Sequence, residues 1–180
     1  CMNAQRILDF WFDEATKPLW FVPDIEFDEI LHVNFTEFWY AAAAGELFRW
    51  REGVYGRLAE VLILDQFSRH LFRNSPRAYA QDSMALALAQ EAVRDEEFGF
   101  MLPEYKQFML MPFLHSESRI IHERACRLFA RHTSAYVLDI ELKHKNVIDR
   151  FGRYPHRNIT LGRKSTVEEI AFMKKYGRGF

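Results

Sequence analysis

Asp65, Arg69 and Arg73 recur at intervals of four residues, with Gln66 beside the first, on a stretch that leaves no side for solvent. Leu58, Val61, Leu62, Ile63, Leu64, Phe67, Leu71 and Phe72 spread around the whole circumference of a helix over 54–72, so that helix lies among others. Charges in such a place are costly unless they are paired or face a wet recess. The stripe therefore predicts either an internal ion-pair network, with Asp65 joined to Arg69, or the wall of a groove. His144 poses the same choice. It stands in the middle of the apolar face made by Val137, Ile140, Val147, Ile148 and Phe151, and it needs a hydrogen-bond partner whether it is a core residue or a ligand contact.

Two further segments carry polar chemistry. Within residues 111–117 a proline precedes Ser116, and this predicts a helix that Pro112 ends and another that Ser116 caps. His115 and Glu117 would then stand at a helix N-terminus, where backbone amides and the helix dipole favour an anion, although a glutamate in a first turn is also ordinary capping. Residues 151–158 place Arg153, His156, Arg157 and Asn158 among aromatics and a turn proline, with Arg163 and Lys164 just beyond. Such groups hold a carboxylate or phosphate through charge-assisted hydrogen bonds, or else cap helix ends and pair with acidic neighbours.

A carboxylate and an imidazole together can move protons near neutral pH, so Asp65 or Glu117 with a histidine would equip an acid–base enzyme. No nucleophile stands out: there is no Gly-x-Ser-x-Gly, Cys126 falls in mid-helix and Ser116 reads as a cap. Catalytic residues are therefore not identified. His115, Glu117, His122, His144 and His156 are metal-ligating types, but no His-Glu-x-x-His or Cys-x-x-Cys spacing joins them, and neither metal nor cofactor is expected.

The elements that must position these residues read as helices. Glycine and proline fall between the periodic stretches and strand signals are few. Helices are predicted over 3–14, from an Asp24 cap to Gly45, over 54–72, from the Asn74-Ser75-Pro76 turn to about 94, from Pro103 to Pro112, over 116–131, over 134–151 and over 165–175. The last opens on a capping box of Ser165 and Glu168. This is one all-α domain over 1–180, about eight helices stacked as antiparallel hairpins, with no repeat visible at tetratricopeptide spacing.

The chain has 180 residues, of which 49% are hydrophobic, enough to bury a sizeable core. Its net charge of −1 conceals an acidic body, −7 over residues 1–140, and a basic tail, +6 over 141–180. No overall field recruits nucleic acid or an anionic membrane, no apolar stretch is long enough to span a bilayer, and no signal peptide opens the chain, so a cytoplasmic location is expected. The tail packs on its own acidic body or forms an anion site. The aromatic segment around Trp11 and Trp20 is either core or the surface of a homodimer.

Several ordered words carry a resemblance over nearly the whole chain. Ile7-Leu8-Asp9-Phe10-Trp11-Phe12, Gly45-Glu46-Leu47, Leu64-Asp65-Gln66-Phe67-Ser68-Arg69, residues 111–117 and residues 151–158 are similar to the bacterial family catalogued as domain of unknown function 924. The resemblance implies an all-α fold of the tetratricopeptide-like kind, a right-handed superhelix of stacked hairpins, and supplies no reaction. The residues themselves favour a binding module with a polar, partly cationic concave groove. Its ligand would be a small anionic molecule or a peptide, held by Arg69, Arg73, Arg153 and Arg157 and oriented by His115, His144 and Asn158, with Asp65, Gln66, Glu117 and His156 in the same site. The alternative is a hydrolase-like enzyme working in that groove.

Overall fold

Short polar side chains start five of the α-helices among the described residues, and glycines follow four α-helices. In the computed structural model, which describes residues 2–177 and 179, Asn3 accepts the Arg6 amide at 3.0 Å and opens α1 (Ala4–Trp11). Asp24 accepts the Phe27 amide at 2.8 Å and opens α2 (Ile25–Ala43), which is followed by Gly45 at a left-handed φ of 74°. Every regular element among the described residues is helical, so the all-α class holds. None of these helices is long and apolar enough to cross a membrane. The chain divides into two compact units, Cys1–Phe100 and Met101–Phe180.

In the first unit, α3 (Val54–Leu62) runs through a π-helical segment (Ile63–Phe67) into α4 (Ser68–Leu71). The π segment interrupts the uniform helix that the spacing predicts over 54–72. All five of its residues are buried, Asp65 and Gln66 included. Ser68 fastens it, donating to the Leu64 carbonyl at 2.6 Å while accepting the Trp39 indole N–H at 2.8 Å from α2. Trp11 is fully buried against Phe27 and Phe67, which makes it core. Beyond α4 the predicted helix from 74 is instead a 3₁₀ turn (Pro76–Ala78) followed by α5 (Asp82–Ala92). Arg77 in that turn lies 4.1 Å from the Phe72 ring centroid and 5.1 Å from that of Trp39, a tertiary contact that spacing does not encode.

The second unit comprises α6 (Pro103–His115), α7 (Arg119–His132), α8 (Ala135–Phe151), α9 (Asn158–Leu161) and α10 (Val167–Tyr176). Pro112 does not end α6: residues 108–114 are all buried, and their packing outweighs the hydrogen bond that proline forfeits. Ser118, not Ser116, caps α7. The capping box of α10 is Thr166 with Glu169, one residue beyond the predicted pair, because it is Glu169 that turns inward. Gly152 ends α8 at φ 73°. Val147, Ile148, Tyr154 and Phe172 form a small core between α8, α10 and the segment after Gly152, with Phe151 and Met173 packed against it.

Gly56 is a test of local packing. Alanine normally stabilises a helix interior relative to glycine by about 1 kcal/mol, but a Cβ here would lie 2.0 Å from the Trp50 carbonyl oxygen. Gly56→Ala is expected to destabilise by about 3 kcal/mol in urea denaturation, the cost of forcing atoms into a filled space; an unchanged or raised midpoint would refute the close approach.

Candidate functional site

The residues singled out from sequence fall into two sets. In the first unit Arg69 sits between two carboxylates, donating to both oxygens of Asp82 at 2.9 and 3.0 Å and to the Asp65 carboxylate at 3.3 Å and carbonyl at 2.9 Å. Gln66 donates to the other Asp65 oxygen at 2.9 Å. Burial opposes the charge on Arg69, yet Asp82 and Asp65 hold its pKa above the ordinary value. Arg73 turns away from this group and forms a fork with Asp28 at 2.8 and 2.9 Å. Burial alone would raise the Asp28 pKa, but the hydrogen bonds from Arg73 and His70 bring it below the usual value. His70, also on Asp28, has its own pKa lowered, because burial and the Arg73 charge outweigh that contact. The stripe is thus an ion-pair network in which Arg69 meets Asp65 and Asp82 while Arg73 meets Asp28.

In the second unit Glu117, Arg153, Arg157 and Asn158 belong to one continuous chain of hydrogen bonds. Arg157 donates to Glu117 at 3.2 Å and to the His115 carbonyl at 3.0 Å. Arg163 reaches Glu117 at 2.8 Å and Asn158 Oδ1 at 2.9 Å. Asn158 Nδ2 donates to Glu169 at 3.2 Å, and Arg153 holds Glu169 through two bonds of 3.0 and 2.7 Å. Arg163 and Glu169 are the links that the sequence reading left out of the site. The inward-facing Glu169 could have been found from its position three residues after Thr166, the capping-box spacing.

Tyr154 is the hub of the histidines. Its ring stands edge-on to His122 and His144, with centroids 6.3 and 5.6 Å away, while His156 is tilted at 5.8 Å and the Arg157 guanidinium lies 4.8 Å from its centroid. Its hydroxyl donates to the Leu114 carbonyl. His122 is fully buried, with Nε2 2.7 Å from the Ser116 carbonyl and Nδ1 2.7 Å from Glu141. The carbonyl can only accept, so Nε2 carries a proton. Desolvation raises the Glu141 pKa against the pull of His122. His144 gives its Nδ1 proton to the Ile140 carbonyl at 2.8 Å, and burial first, then the nearby His115, His122 and Arg157, lowers its pKa to about 4. No cluster of three or more potential metal ligands occurs among the described residues.

Two hollows of this unit lie along α8 and α10. A groove of about 600 Å³ is lined by Ile140, Lys143, Asn146, Val147 and Arg150 of α8, by Phe172 and Tyr176 of α10, and by Gly179. A neighbouring hollow of about 490 Å³ is lined by Arg150, Phe151, Arg153, Thr166, Glu168 and Glu169. Of the residues expected from sequence, Arg153 alone lines either one. Arg150 lines both, its guanidinium 4.6 Å from the Phe151 centroid and 5.8 Å from that of Phe172, and it forms no ion pair among the described residues. The signal for this groove was present as helical spacing: 143, 147 and 150 on one helix, 172 and 176 on another.

The model of a family described as bacterial proteins of unknown function, DUF924, matches residues 7–177. A solved structure of a protein of unknown function from Agrobacterium tumefaciens, ATU0120, is similar with a TM-score of 0.90 at 37% identity, over 96% of this chain and 97% of that one. No curated protein matches.

The Arg153 hydrogen bonds, joined by those from Thr166 and Asn158, outweigh burial and lower the Glu169 pKa from 4.5 to about 2. A depressed carboxylate stabilises the fold above its unfolded pKa and loses that contribution as pH falls through the folded value. Denaturation midpoints measured down through this range should fall in the wild type and fall less steeply in Glu169→Gln; parallel slopes would count against the pairing. His144, followed by ring-proton NMR, should titrate near pH 4, and a value above 6 would show it solvated.

Proposed function

We propose that this chain, which belongs to the bacterial DUF924 family of unknown function, is a binding module for a small anionic molecule. The observation that carries the reading is Arg150: a guanidinium lining the groove, with no carboxylate of its own among the described residues. An exposed arginine that lacks an acidic partner is able to form charge-assisted hydrogen bonds with an incoming anion. Lys143 adds positive charge, partly offset by Asp139 at 3.0 Å. A groove of several hundred cubic ångströms with few polar groups is the usual form of a small-molecule site. Arg153, one of the residues expected to hold the anion, borders the adjoining hollow.

The other residues of the expected site do not line these two hollows and hold segments of the fold together. Glu117, Arg157 and Asn158 tie the segment after α8 to α10 through Glu169 and Arg163, and so fix the walls of the groove. Asp65, Gln66, Arg69 and Arg73 brace the π-helical segment and its neighbours in the first unit. The test is a thermal-shift screen of organic and inorganic anions at low ionic strength. A raised melting temperature that disappears in Arg150→Ala, and persists in Arg124→Ala on α7, supports the proposal; no shift across the panel defeats it.

A further inference from the structure

We propose that the outward face of α2 is a docking surface for a basic amphipathic helix of another protein, a role separate from anion binding along α8 and α10. A surface helix ordinarily buries one apolar face and leaves the other polar. α2 does not. Its inner face is buried through Phe27, Leu31, Phe35, Phe38 and Trp39. On the opposite side Ile30, Val33 and Tyr40 are 48%, 73% and 53% exposed, and Ile25 is exposed at the first turn. Apolar groups on both sides mark a helix that is covered on both sides, and among the described residues only one cover is present.

Spacing sets the shape that fits this face, and charge sets its chemistry. Glu26, Ile30, Val33, Glu37 and Tyr40 recur at intervals of four, three, four and three residues, the interval at which one helix lies along another at a shallow angle. The stripe is about 21 Å long, roughly four turns. Two of its members are glutamates and Glu29 stands beside them; all three are exposed, with no ion pair among the described residues. α2 contains no lysine or arginine, and its one histidine, His32, lies 3.3 Å from the Thr36 hydroxyl. The cations that approach α2 are otherwise engaged: Arg6 over the Phe35 and Phe38 rings, Arg73 on Asp28, and Arg77 at the far end, donating to the Tyr40 hydroxyl at 3.2 Å with its guanidinium over Phe72. A second copy meeting this face about a twofold axis would set the glutamates of one α2 against those of the other. An anionic lipid surface would be repelled by them. A helix whose lysines or arginines flank an apolar seam satisfies both the stripe and its charge.

The experiment titrates the full chain with three capped peptides of about 15 residues, long enough to form a helix on binding. One has leucines at alternating intervals of three and four with lysines between them, the second has glutamates for the lysines, and the third has serines for the leucines. Amide-resonance NMR locates binding and calorimetry measures it. The leucine-lysine peptide is expected to shift resonances of residues 25–40, with affinity at least about tenfold weaker for each of the other two, the discrimination that one lost anchor or charge pair supplies. Val33→Lys and Glu37→Lys, both at exposed positions, should each weaken that peptide to the same degree and leave the melting temperature of the free protein unchanged. Glu96→Lys, an equal charge reversal at an exposed position off α2, should leave the affinity within about twofold. Binding away from α2, equal binding of the glutamate peptide, a loss with Glu96→Lys as large as with Glu37→Lys, or binding of none of the three overturns the proposal. Sedimentation of the free chain tests the other occupant: a dimer that Val33→Lys converts to monomer assigns the face to a second copy and overturns the basic partner. The anion screen stands or falls independently of these results.

Discussion

Glu169 is a carboxylate at the first turn of α10 with 2% of its surface exposed, and the carboxy-terminal unit depends on what keeps it there. A bare buried carboxylate would cost several kcal/mol. Arg153, Asn158 and the Thr166 backbone amide remove that cost from three directions. Each of these partners lies on a different piece of chain: the turn after α8, the start of α9 and the cap of α10. The same contacts that satisfy the charge therefore fix where α10 lies against α8. The groove between those helices is a consequence of that placement.

The arrangement repeats in other parts of the molecule with different residues. Arg69 is held between Asp65 and Asp82, Arg73 and His70 converge on Asp28, and Arg51 forms a two-bonded fork with the fully buried Glu60. In every case a charged group inside the fold is met by partners from another element, which is the condition under which buried charge is tolerated. The consequence for function is one of elimination. Most of the polar residues that look available for chemistry already have a task in holding segments together, and the ones left with capacity for a ligand are at the open edge. Arg150 is the clearest of these.

Tyr154 joins the two kinds of polar group. Its buried ring carries His144, His156 and Arg157 around its faces and edges, while its hydroxyl is within 3.1 Å of His122. The histidine that interrupts the apolar face of α8 is accommodated because its N–H has a carbonyl one turn back and its ring has an aromatic neighbour. Burial keeps it uncharged at neutral pH, so it behaves in this setting as a slightly polar aromatic residue.

The helices themselves were legible from residue order, because caps and stops act over three or four residues. Asp24 at the head of α2, Gly45 beyond its end and Gly152 beyond α8 carry out locally what their side chains, or lack of one, dictate. The paired stripe of Asp65 and Arg69 was legible for the same reason, an i to i+4 interval on one helix. Three things were not. Pro112 sits inside α6 because the packing of its neighbours outweighs a local penalty, Arg69 and Arg73 divide between Asp82 and Asp28 because those aspartates arrive from distant helices, and Arg150 meets aromatic rings and no carboxylate among the described residues. Local rules decide what a segment can become; which charges end up neutralised is settled by long-range contacts, and only tertiary structure holds that information.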